Sequence, residues 1–338
     1  RSMSKDYSED QLIEQPCMDV FQSLGWEVAD VFNGETFGEN GTLGRDSKAD
    51  VILRTRFIEA IKNLNPNLPK QAYDLAYESI NSNDATKNLA DINFEKYNFL
   101  KDGIPVNYKD AKGEIVRNKK IKVFDFDNPE NNNYIAVQQL WMEGKSKRPK
   151  RPDVVGFVNG LPLVFIELKG INVKLRAAYE KNLSDYKNTI PKMFHCNAFV
   201  ILSNGVESKI GSISSKYEHF HDWKRISEED EGIVSLDIII KGTCEKSRLL
   251  DLFENFILFD TSVGSVAKLV ARNHQFIGVN KAIEHFQTTR QKAKDGIISI
   301  EDAQKLGVFW HTQGSGKSYS MVFLCQKILR VLGGGYTF

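Results

Sequence analysis

The chain has 338 residues, of which 41% are hydrophobic and 11% aromatic, a composition typical of a folded globular protein. This length exceeds one ordinary hydrophobic core, so two domains are expected. The 45 basic and 44 acidic residues leave a net charge of +1, which excludes a uniformly basic nucleic-acid binder and limits any DNA contact to a local patch.

The cysteines and the apolar runs exclude further classes of protein. The four cysteines lie far apart without Cys-x-x-Cys spacing, so neither a disulfide scaffold nor a structural zinc site is expected, and a reducing cytosol fits. No apolar run reaches the roughly 18 residues that a membrane-spanning helix needs. We therefore expect a cytoplasmic protein without membrane contact.

The N-terminal part of the chain is predicted to be helical. Apolar residues at helical spacing predict a helix over residues 11–24, in which Pro16 is expected to kink the helix or delay its start. Two more helices are predicted over residues 51–64 and 70–80. From residue 97 to residue 143 the pattern changes to strands, which are predicted over residues 103–108, 114–126 and 134–142.

Residues 151–169 carry the strongest signal for chemistry. Two apolar β-type runs flank Asn159-Gly160, a dipeptide typical of a tight hairpin turn. Residues two apart on a strand share a face, so Glu167 and Lys169 point the same way, and the hairpin brings Asp153 back beside them. The sequence therefore predicts two carboxylates and one ammonium at one end of a buried hairpin.

Such a cluster is costly to remove from water, which argues for a function rather than an accident of sequence. Carboxylate oxygens suit Mg²⁺, and we expect Asp153 and Glu167 to bind it, with the Leu168 carbonyl as a candidate third ligand. The cation would polarise a phosphodiester and activate a water, while Lys169 stabilises the developing charge. The prediction is a metal-dependent nuclease.

A basic tract lies directly upstream of Asp153. Five of its seven residues are basic: Lys145, Lys147, Arg148, Lys150 and Arg151. Beside a nuclease motif, these side chains are predicted to contact DNA phosphates, which orient DNA without reading its sequence. Taken alone, the tract would equally fit a solvated loop.

Beyond the hairpin, the pattern predicts an amphipathic helix over residues 175–194 and a buried strand over residues 198–203. Together with the preceding elements, they give the layout of a mixed α/β domain. Residues 248–259 are predicted to form a connecting helix. A second unit is expected from residue 263, with a helix over residues 275–288 and a strand over residues 306–310.

A glycine-rich turn follows that last strand and precedes a helix. Glycines let backbone amides approach phosphate oxygens at a helix N-terminus. Lys317 is predicted to contact the β- and γ-phosphates and Ser318 to hold Mg²⁺. His311 replaces the first glycine of the P-loop template, yet the rest of the turn still predicts ATP binding by Thr312, Gln313, Gly314, Ser315, Gly316, Lys317 and Ser318.

The hairpin and the glycine-rich turn together resemble two motifs of type I restriction enzyme R (HsdR) subunits. Asp153 with Glu167-Leu168-Lys169 matches the endonuclease motif, and residues 310–318 match the first helicase motif. The resemblance implies an α/β fold: a PD-(D/E)xK (RecB-type) nuclease domain with a mixed sheet, then the beginning of a RecA-like superfamily 2 helicase domain. We place the nuclease domain at residues 1–240, a helical connector at 241–262 and the motor domain at 263–338.

The resemblance also adds candidate residues outside the two motifs. Glu14 matches the acidic residue often found upstream in this nuclease class. Asn182 and Tyr186 match a Gln-x-x-x-Tyr pattern thought to position DNA, although Asn has a shorter reach than Gln. Gln275 resembles the glutamine that recognises adenine ahead of the P-loop, and an ordinary role at a helix N-terminus is its alternative.

Subunits of this family translocate DNA with ATP and cut it far from the recognition site. By resemblance, the partners are double-stranded DNA, a methyltransferase subunit and a specificity subunit, and S-adenosylmethionine enters only through the methyltransferase. The chain ends at Phe338 before any acidic motor motif. We therefore expect an N-terminal portion of a longer subunit that does not hydrolyse ATP effectively by itself.

The predicted function is a Mg²⁺-dependent endonuclease and ATP-dependent DNA translocase of a type I restriction–modification complex. Two alternatives remain open. One is an ATP-driven DNA remodeller whose nuclease fold only grips DNA. The other is an assembly module that docks on the methyltransferase. Retention of Asp153, Glu167 and Lys169 favours cleavage, because a DNA grip has no use for buried carboxylates facing a polyanion.

Overall fold

The computed structural model describes residues 3–144, 149–262, 264–303, 305, 307–308 and 310–332, with side chains described from residue 13 onward. The helices are α1 (Met3–Ser23), α2 (Arg54–Leu64), α3 (Lys70–Asn81), α4 (Leu89–Asp102), α5 (Leu175–Ala177), α6 (Ser184–Thr189), α7 (Leu236–Cys244), α8 (Lys246–Asn255), α9 (Asn273–Lys294), α10 (Ile300–Ala303) and α11 (Lys317–Val331). The strands are β1 (Glu27–Asp30), β2 (Ile104–Lys109), β3 (Ile115–Ile121), β4 (Tyr134–Gln138), β5 (Met142–Glu143), β6 (Pro149–Lys150), β7 (Val154–Val158), β8 (Leu161–Leu168), β9 (Phe199–Ser203), β10 (Ser208–Gly211), β11 (His221–Asp222), β12 (Ile257–Asp260) and β13 (Ala267–Val270).

Seven strands form one mixed sheet in the order β1-β4-β7-β8-β9-β10-β11. β1 pairs in parallel with β4, and β8 with β9, while the other neighbours are antiparallel. Every residue of β7 and β8 is buried, which explains their nearly continuous apolar sequences. The predicted mixed α/β architecture is confirmed.

The predicted hairpin forms between β7 and β8, with positive φ angles of 49° at Asn159 and 77° at Gly160. A two-residue turn of this kind needs both angles to be positive. A Cβ at position 160 would lie 2.5 Å from the carbonyl oxygen of Leu53, so only glycine fits. The Asn159 amide donates to the carbonyl of Val123 at 2.8 Å and to Asn132 Oδ1 at 2.9 Å. The closed end of the hairpin is therefore fixed inside the protein.

Helix α1 packs on the sheet and contacts β1, β4 and β8. Pro16 lies inside this helix, which extends well to its N-terminal side, so the expected delay of the helix start does not occur. Glu14 on α1 is only 3% exposed, because it faces the sheet rather than solvent. Helix α7 packs beside α1, and the indole N–H of Trp26 donates to the carbonyl of Cys244 at 3.0 Å.

Two segments differ from the sequence prediction. Residues 97–102, expected at the start of the strand region, complete helix α4, which Asn88 caps and which ends at Gly103. The helix expected over residues 248–259 ends at Asn255, and Ile257–Asp260 forms β12, paired with β13. The apolar run of β12 fits a strand once its partner is present, and the local pattern does not show that partner. Strands β3 and β4 are also shorter than predicted.

The segment predicted as a connector belongs to the same hydrophobic core as the sheet. The Tyr97 hydroxyl donates to the carbonyl of Phe253 on α8 at 3.0 Å. On β13, the buried ammonium of Lys268 donates to Asn93 Oδ1 on α4 at 3.0 Å. Helix α8 and the β12–β13 pair are thus tied to α4.

The last described segment leads into α11, which packs on α8 and α9. Two residues of the strand expected over residues 306–310, Leu306 and Phe309, lie outside the described residues, and Gly307, Val308 and Trp310 are in no strand. The helices of the described ranges include none that is long and apolar enough to cross a membrane. All four cysteines are free thiols.

Candidate active site

Asp153, Glu167 and Lys169 converge at the open end of the hairpin, as predicted. The register of β7 and β8 places Asp153 opposite Glu167. The backbone N–H of Leu168 donates to Asp153 Oδ2 at 2.7 Å, and Lys169 Nζ lies 2.8 Å from Glu167 Oε1. The backbone pairing of two central strands therefore positions both carboxylates.

Glu167 is the most deeply buried charge of this cluster, at 1% exposure. Burial raises the pKa of Glu167 well above its usual value, the Asp153 carboxylate raises it further, and Lys169 opposes both effects. In the part of the chain that the structure describes, the buried Glu167 Oε2 has no hydrogen-bond partner. Lys169 pairs with Glu167, and burial next to Asp153 favours a proton or a cation on this carboxyl.

The donor set fits a hard divalent cation. Such a cation between Asp153 and Glu167 would remove their repulsion and give Glu167 Oε2 a partner. Within the described ranges there is no group of three or more His, Cys, Asp or Glu side chains that could hold a metal. A cation at this site would complete its coordination with backbone carbonyls and water, as Mg²⁺ commonly does. The Leu168 carbonyl stays a predicted ligand.

Lys169 lies between the buried carboxylates and the solvent. Its side chain is 21% exposed, against 1% for Glu167. Its backbone N–H donates to the carbonyl of Ser203 at 2.9 Å, so the end of β9 fixes its position. The ammonium can therefore meet a polyanion that approaches from solvent.

Glu14 lies beside this cluster, on α1, close enough for its charge to raise the pKa of Glu167. Gln138 Nε2 donates to Glu14 Oε2 at 2.7 Å, and Gln139 Nε2 donates to Glu14 Oε1 at 2.5 Å. Neither glutamine is among the site residues predicted from the sequence. The available signal was a pair of amides directly after the apolar run of β4.

Asn182 and Tyr186 lie next to each other beside the same cluster. Asn182 lies close enough to lower the pKa of Tyr186, and the Tyr186 hydroxyl donates to the carbonyl of Arg151 at 3.2 Å. Burial raises the pKa of Tyr186, and the charges of Glu167 and Asp153 raise it further. Asn182 lies in a π turn, Ala178–Leu183, a feature frequent at functional sites. Their contact with DNA stays a prediction.

The described part of the basic tract is packed against its surroundings. Lys150 Nζ lies 2.5 Å from Asp185 Oδ2 on α6. The guanidinium of Arg151 stacks over the rings of Phe32 and Trp141, at 4.6 and 5.0 Å from their centres. Three residues of the tract lie outside the described residues: Lys145, Lys147 and Arg148.

The glycine-rich turn holds a tight conformation ahead of α11. Gly314 and Gly316 have φ angles of 79° and 85°. The φ of 85° at Gly316 favours glycine there, and a Cβ at this position would also lie 2.8 Å from Gln275 Nε2. Lys317 Nζ donates to the carbonyl of His311 at 3.0 Å, which folds the lysine back over the turn.

Gln275 holds this turn in place. Its Nε2 donates to the carbonyl of Gly316 at 2.9 Å, and its Oε1 accepts from the backbone N–H of Arg272 at 2.8 Å, which caps α9. Next to it, His274 Nε2 lies 2.9 Å from the carbonyl oxygen of Ser315. Gln275 therefore fills the ordinary helix N-terminal role that was its alternative, and its recognition of adenine stays a prediction.

The fold and these sites define a mixed α/β protein with a carboxylate–lysine cluster on a central hairpin and a glycine-rich turn before a helix. Residues 6–219 match the sequence model of the family described as type I restriction enzyme R protein N terminus. Residues 274–335 match the model of the SWI2/SNF2 ATPase family. The chain belongs to the type I restriction enzyme R protein family, as the resemblance predicted.

Curated relatives extend this result. The type I restriction enzyme HindI endonuclease subunit of Haemophilus influenzae is 33% identical over 94% of this chain and 30% of its own length. The MjaIXP protein of Methanocaldococcus jannaschii is 28% identical over 96% of this chain and 32% of its own length. The type I restriction enzyme SauCOLORF180P endonuclease subunit of Staphylococcus aureus is 23% identical over 70% of this chain and 23% of its own length. The chain thus spans about a third or less of the length of these relatives.

Proposed function

We propose that this chain provides the nuclease site, and the beginning of the motor, of the endonuclease subunit of a type I restriction–modification system. The seven-stranded sheet with its hairpin cluster is then a PD-(D/E)xK nuclease domain, and the residues after 262 begin a RecA-like domain. The observation that carries the proposal is the deeply buried Glu167: its Oε2 has no hydrogen-bond partner among the described residues, and the Asp153 carboxylate raises its pKa. The reaction is hydrolysis of DNA phosphodiesters.

Asp153 and Glu167 are the residues that would hold Mg²⁺, with the Leu168 carbonyl as a candidate third ligand. When bound, the cation supplies Lewis acidity toward a phosphodiester and lowers the pKa of a water. The hard oxygen donors of the two carboxylates support this choice over a softer metal.

The protein side chains supply the rest of the chemistry. Lys169 stabilises the negative charge that develops on the phosphate, since its ammonium lies at the cluster and is part-exposed. Tyr186 holds the chain next to Asp153 through the carbonyl of Arg151. The basic tract and Asn182 orient the DNA backbone without reading its sequence. Cleavage position therefore depends on the rest of the complex.

The glycine-rich turn binds ATP and Mg²⁺ in the motor part of this proposal. The match of residues 274–335 to an ATPase family supports it, as does the αL conformation of Gly314 and Gly316 before α11. Lys317 and Ser318 contact the phosphates and the cation. The motor is an ATP-driven DNA translocase that works with a methyltransferase subunit, through which S-adenosylmethionine enters, and with a specificity subunit.

The test uses the complete endonuclease subunit that carries this chain, assembled with its methyltransferase and specificity subunits on unmethylated circular DNA with Mg²⁺ and ATP. We expect ATP-dependent linearisation by the wild type and none by Asp153→Ala, with ATP hydrolysis retained in both. The control variant is Asp222→Ala on the edge strand β11, which should cut like the wild type. If the wild type hydrolyses ATP but does not cut DNA, the nuclease proposal is wrong. The alternative function, an ATP-driven DNA remodeller, would then be favoured.

A further inference from the structure

Gln139 stands out because its backbone is strained at the edge of the candidate nuclease site. It follows directly after β4, has a φ of 58°, and is 7% exposed. A positive φ is uncommon for a residue with a side chain, and such strain is frequent at functional sites. Glycine or asparagine would adopt this conformation more readily.

The strain has a geometric consequence. Neighbouring residues on a strand point to opposite faces of the sheet, so Gln138 and Gln139 should not reach the same group. In this structure both amides donate to Glu14, one to each carboxylate oxygen. The left-handed conformation of Gln139 turns the chain at the end of β4 and makes this double contact available.

Gln139 also holds the strand that carries the first carboxylate of the cluster. Its backbone N–H donates to the carbonyl of Asp153 at 2.9 Å. A single residue thus connects Glu14 on α1 to Asp153 at the start of β7. Both of these acidic groups affect the pKa of Glu167, so all of them belong to one electrostatic site.

The two polar atoms of the Gln139 side-chain amide differ in their hydrogen bonding. Its Nε2 donates to Glu14, whereas its buried Oε1 has no hydrogen-bond partner among the residues that the structure describes. Unpartnered buried amide oxygens are rare in proteins, because they lose hydration without replacement. Glu167 Oε2 likewise has no hydrogen-bond partner within the described ranges. Two unpartnered acceptors in one acidic site point to a donor or cation that binds there.

From these contacts, we infer that Gln139 is a positioning residue of the nuclease site: it orients Glu14 and Asp153, and its Oε1 accepts a hydrogen bond from a water bound to the divalent cation. This inference rests on the proposed nuclease function and adds a residue to its site. It explains why a strained glutamine occupies a position where glycine would be relaxed.

The test compares three variants of Gln139 with a matched control. Gln139→Gly removes the amide and relieves the backbone. Gln139→Glu keeps an acceptor oxygen for the cation water but cannot donate to Glu14. Gln139→Asn keeps an amide in a residue that tolerates positive φ, with a shorter reach. The control is Asn118→Gly, since Asn118 also has a positive φ, of 52°, but is exposed in the β2–β3 hairpin.

Mg²⁺ affinity is measured by calorimetry on this chain, and cleavage and ATP hydrolysis on the assembled complex. For Gln139→Gly we expect Mg²⁺ affinity about tenfold weaker, cleavage slower by about 10–100-fold, ATP hydrolysis unchanged and a melting temperature within about 2 °C of the wild type. Gln139→Glu should recover Mg²⁺ affinity but not cleavage. Asn118→Gly should change neither.

Wild-type Mg²⁺ affinity and cleavage in Gln139→Gly would overturn the inference and leave Gln139 as a strand terminator. If Gln139→Gly melts far below the wild type, the Gln139→Asn variant provides the test instead. Wild-type Mg²⁺ affinity and wild-type cleavage in a folded Gln139→Asn variant would also overturn the inference that Gln139 positions the nuclease site. A wild type that binds no Mg²⁺ and does not cut would remove the nuclease function itself, and this inference with it.

Discussion

The hairpin cluster and the glycine-rich turn are held in different ways. The cluster lies on central strands, and residues from β4, β7, β8 and α1 fix its carboxylates through backbone pairing and short hydrogen bonds. The turn is held chiefly by the start of α9, through His274 and Gln275. The residues ahead of it are open to solvent, with Val308 92% and Trp310 78% exposed. The first region is organised by the fold and the second by a few polar contacts.

Helix α11 is docked both by Phe323, whose buried ring packs against Phe256, and by polar contacts. Lys327 Nζ lies 2.6 Å from both carboxylate oxygens of Asp251 on α8 and also donates to Asn280 on α9. Gln326 Nε2 donates to the carbonyl of Glu254 at 3.1 Å. Changes in the hairpin cluster should therefore alter chemistry and leave the fold intact, whereas changes around α11 should alter how that helix is docked.

The largest expected effect is on cleavage, from Lys169→Ala. Loss of the ammonium removes the stabilisation that Lys169 gives to the developing charge on the phosphate, so cleavage in the assembled complex should fall by about 100-fold or more. ATP hydrolysis should not change. The control is Lys209→Ala, whose side chain is 23% exposed, close to the 21% of Lys169, and pairs with Asp222 far from the cluster. Equal loss of cleavage and ATP hydrolysis would instead indicate a structural role for Lys169.

The next effect is on the docking of α11, from Lys327→Ala. The variant leaves Asp251 without its cation, and because this pair is only 10% and 21% exposed we expect a loss of about 2 kcal/mol. Hydrogen exchange should become faster in α11 while β7 and β8 stay protected. Lys305→Ala removes an ion pair that is 72% and 57% exposed, so it should change exchange little. Unchanged protection of α11 in Lys327→Ala would contradict this account.

The two regions also differed in how far the sequence predicted them. The hairpin and its cluster could be predicted because alternation along a strand and an Asn-Gly turn are local signals, and residues 153–169 contain both. The contact of Gln139 with Glu14 joins residues 125 positions apart and depends on a left-handed backbone, which no local pattern shows. The same holds for Gln275, which meets Gly316 across 41 positions.

The errors in secondary structure have the same origin. Residues 97–102 continue α4 because Asn88 and Gly103 delimit that helix, and the sequence analysis assigned no helix there. Ile257–Asp260 pairs with β13, although its sequence continues the apolar spacing of α8. Tertiary pairing decides such short segments more often than propensity does.

The smallest expected effect is on stability, from Glu167→Gln, and its sign depends on pH and on the cation. Burial keeps a proton on Glu167 to a higher pH than in the unfolded chain, where the pKa is near 4.5. The stability that this carboxyl contributes is therefore complete below pH 4.5 and is lost as the pH rises toward its folded pKa. Without a divalent cation, Glu167→Gln should then become more stable than the wild type as the pH rises, by about 1–2 kcal/mol at pH 8.

Thermal unfolding in EDTA across pH 4 to 8 measures that difference. Added Mg²⁺ should raise the melting temperature of the wild type more than that of Glu167→Gln, because the cation replaces the proton on a carboxylate that the variant lacks. The control is Glu218→Gln, whose carboxylate is 59% exposed and pairs with Arg176 at the surface. If Mg²⁺ raises the melting temperatures of the wild type and Glu167→Gln equally, the buried carboxylate does not bind the cation. The hairpin cluster would then differ from the glycine-rich turn only in how tightly it is packed, and not in cation chemistry.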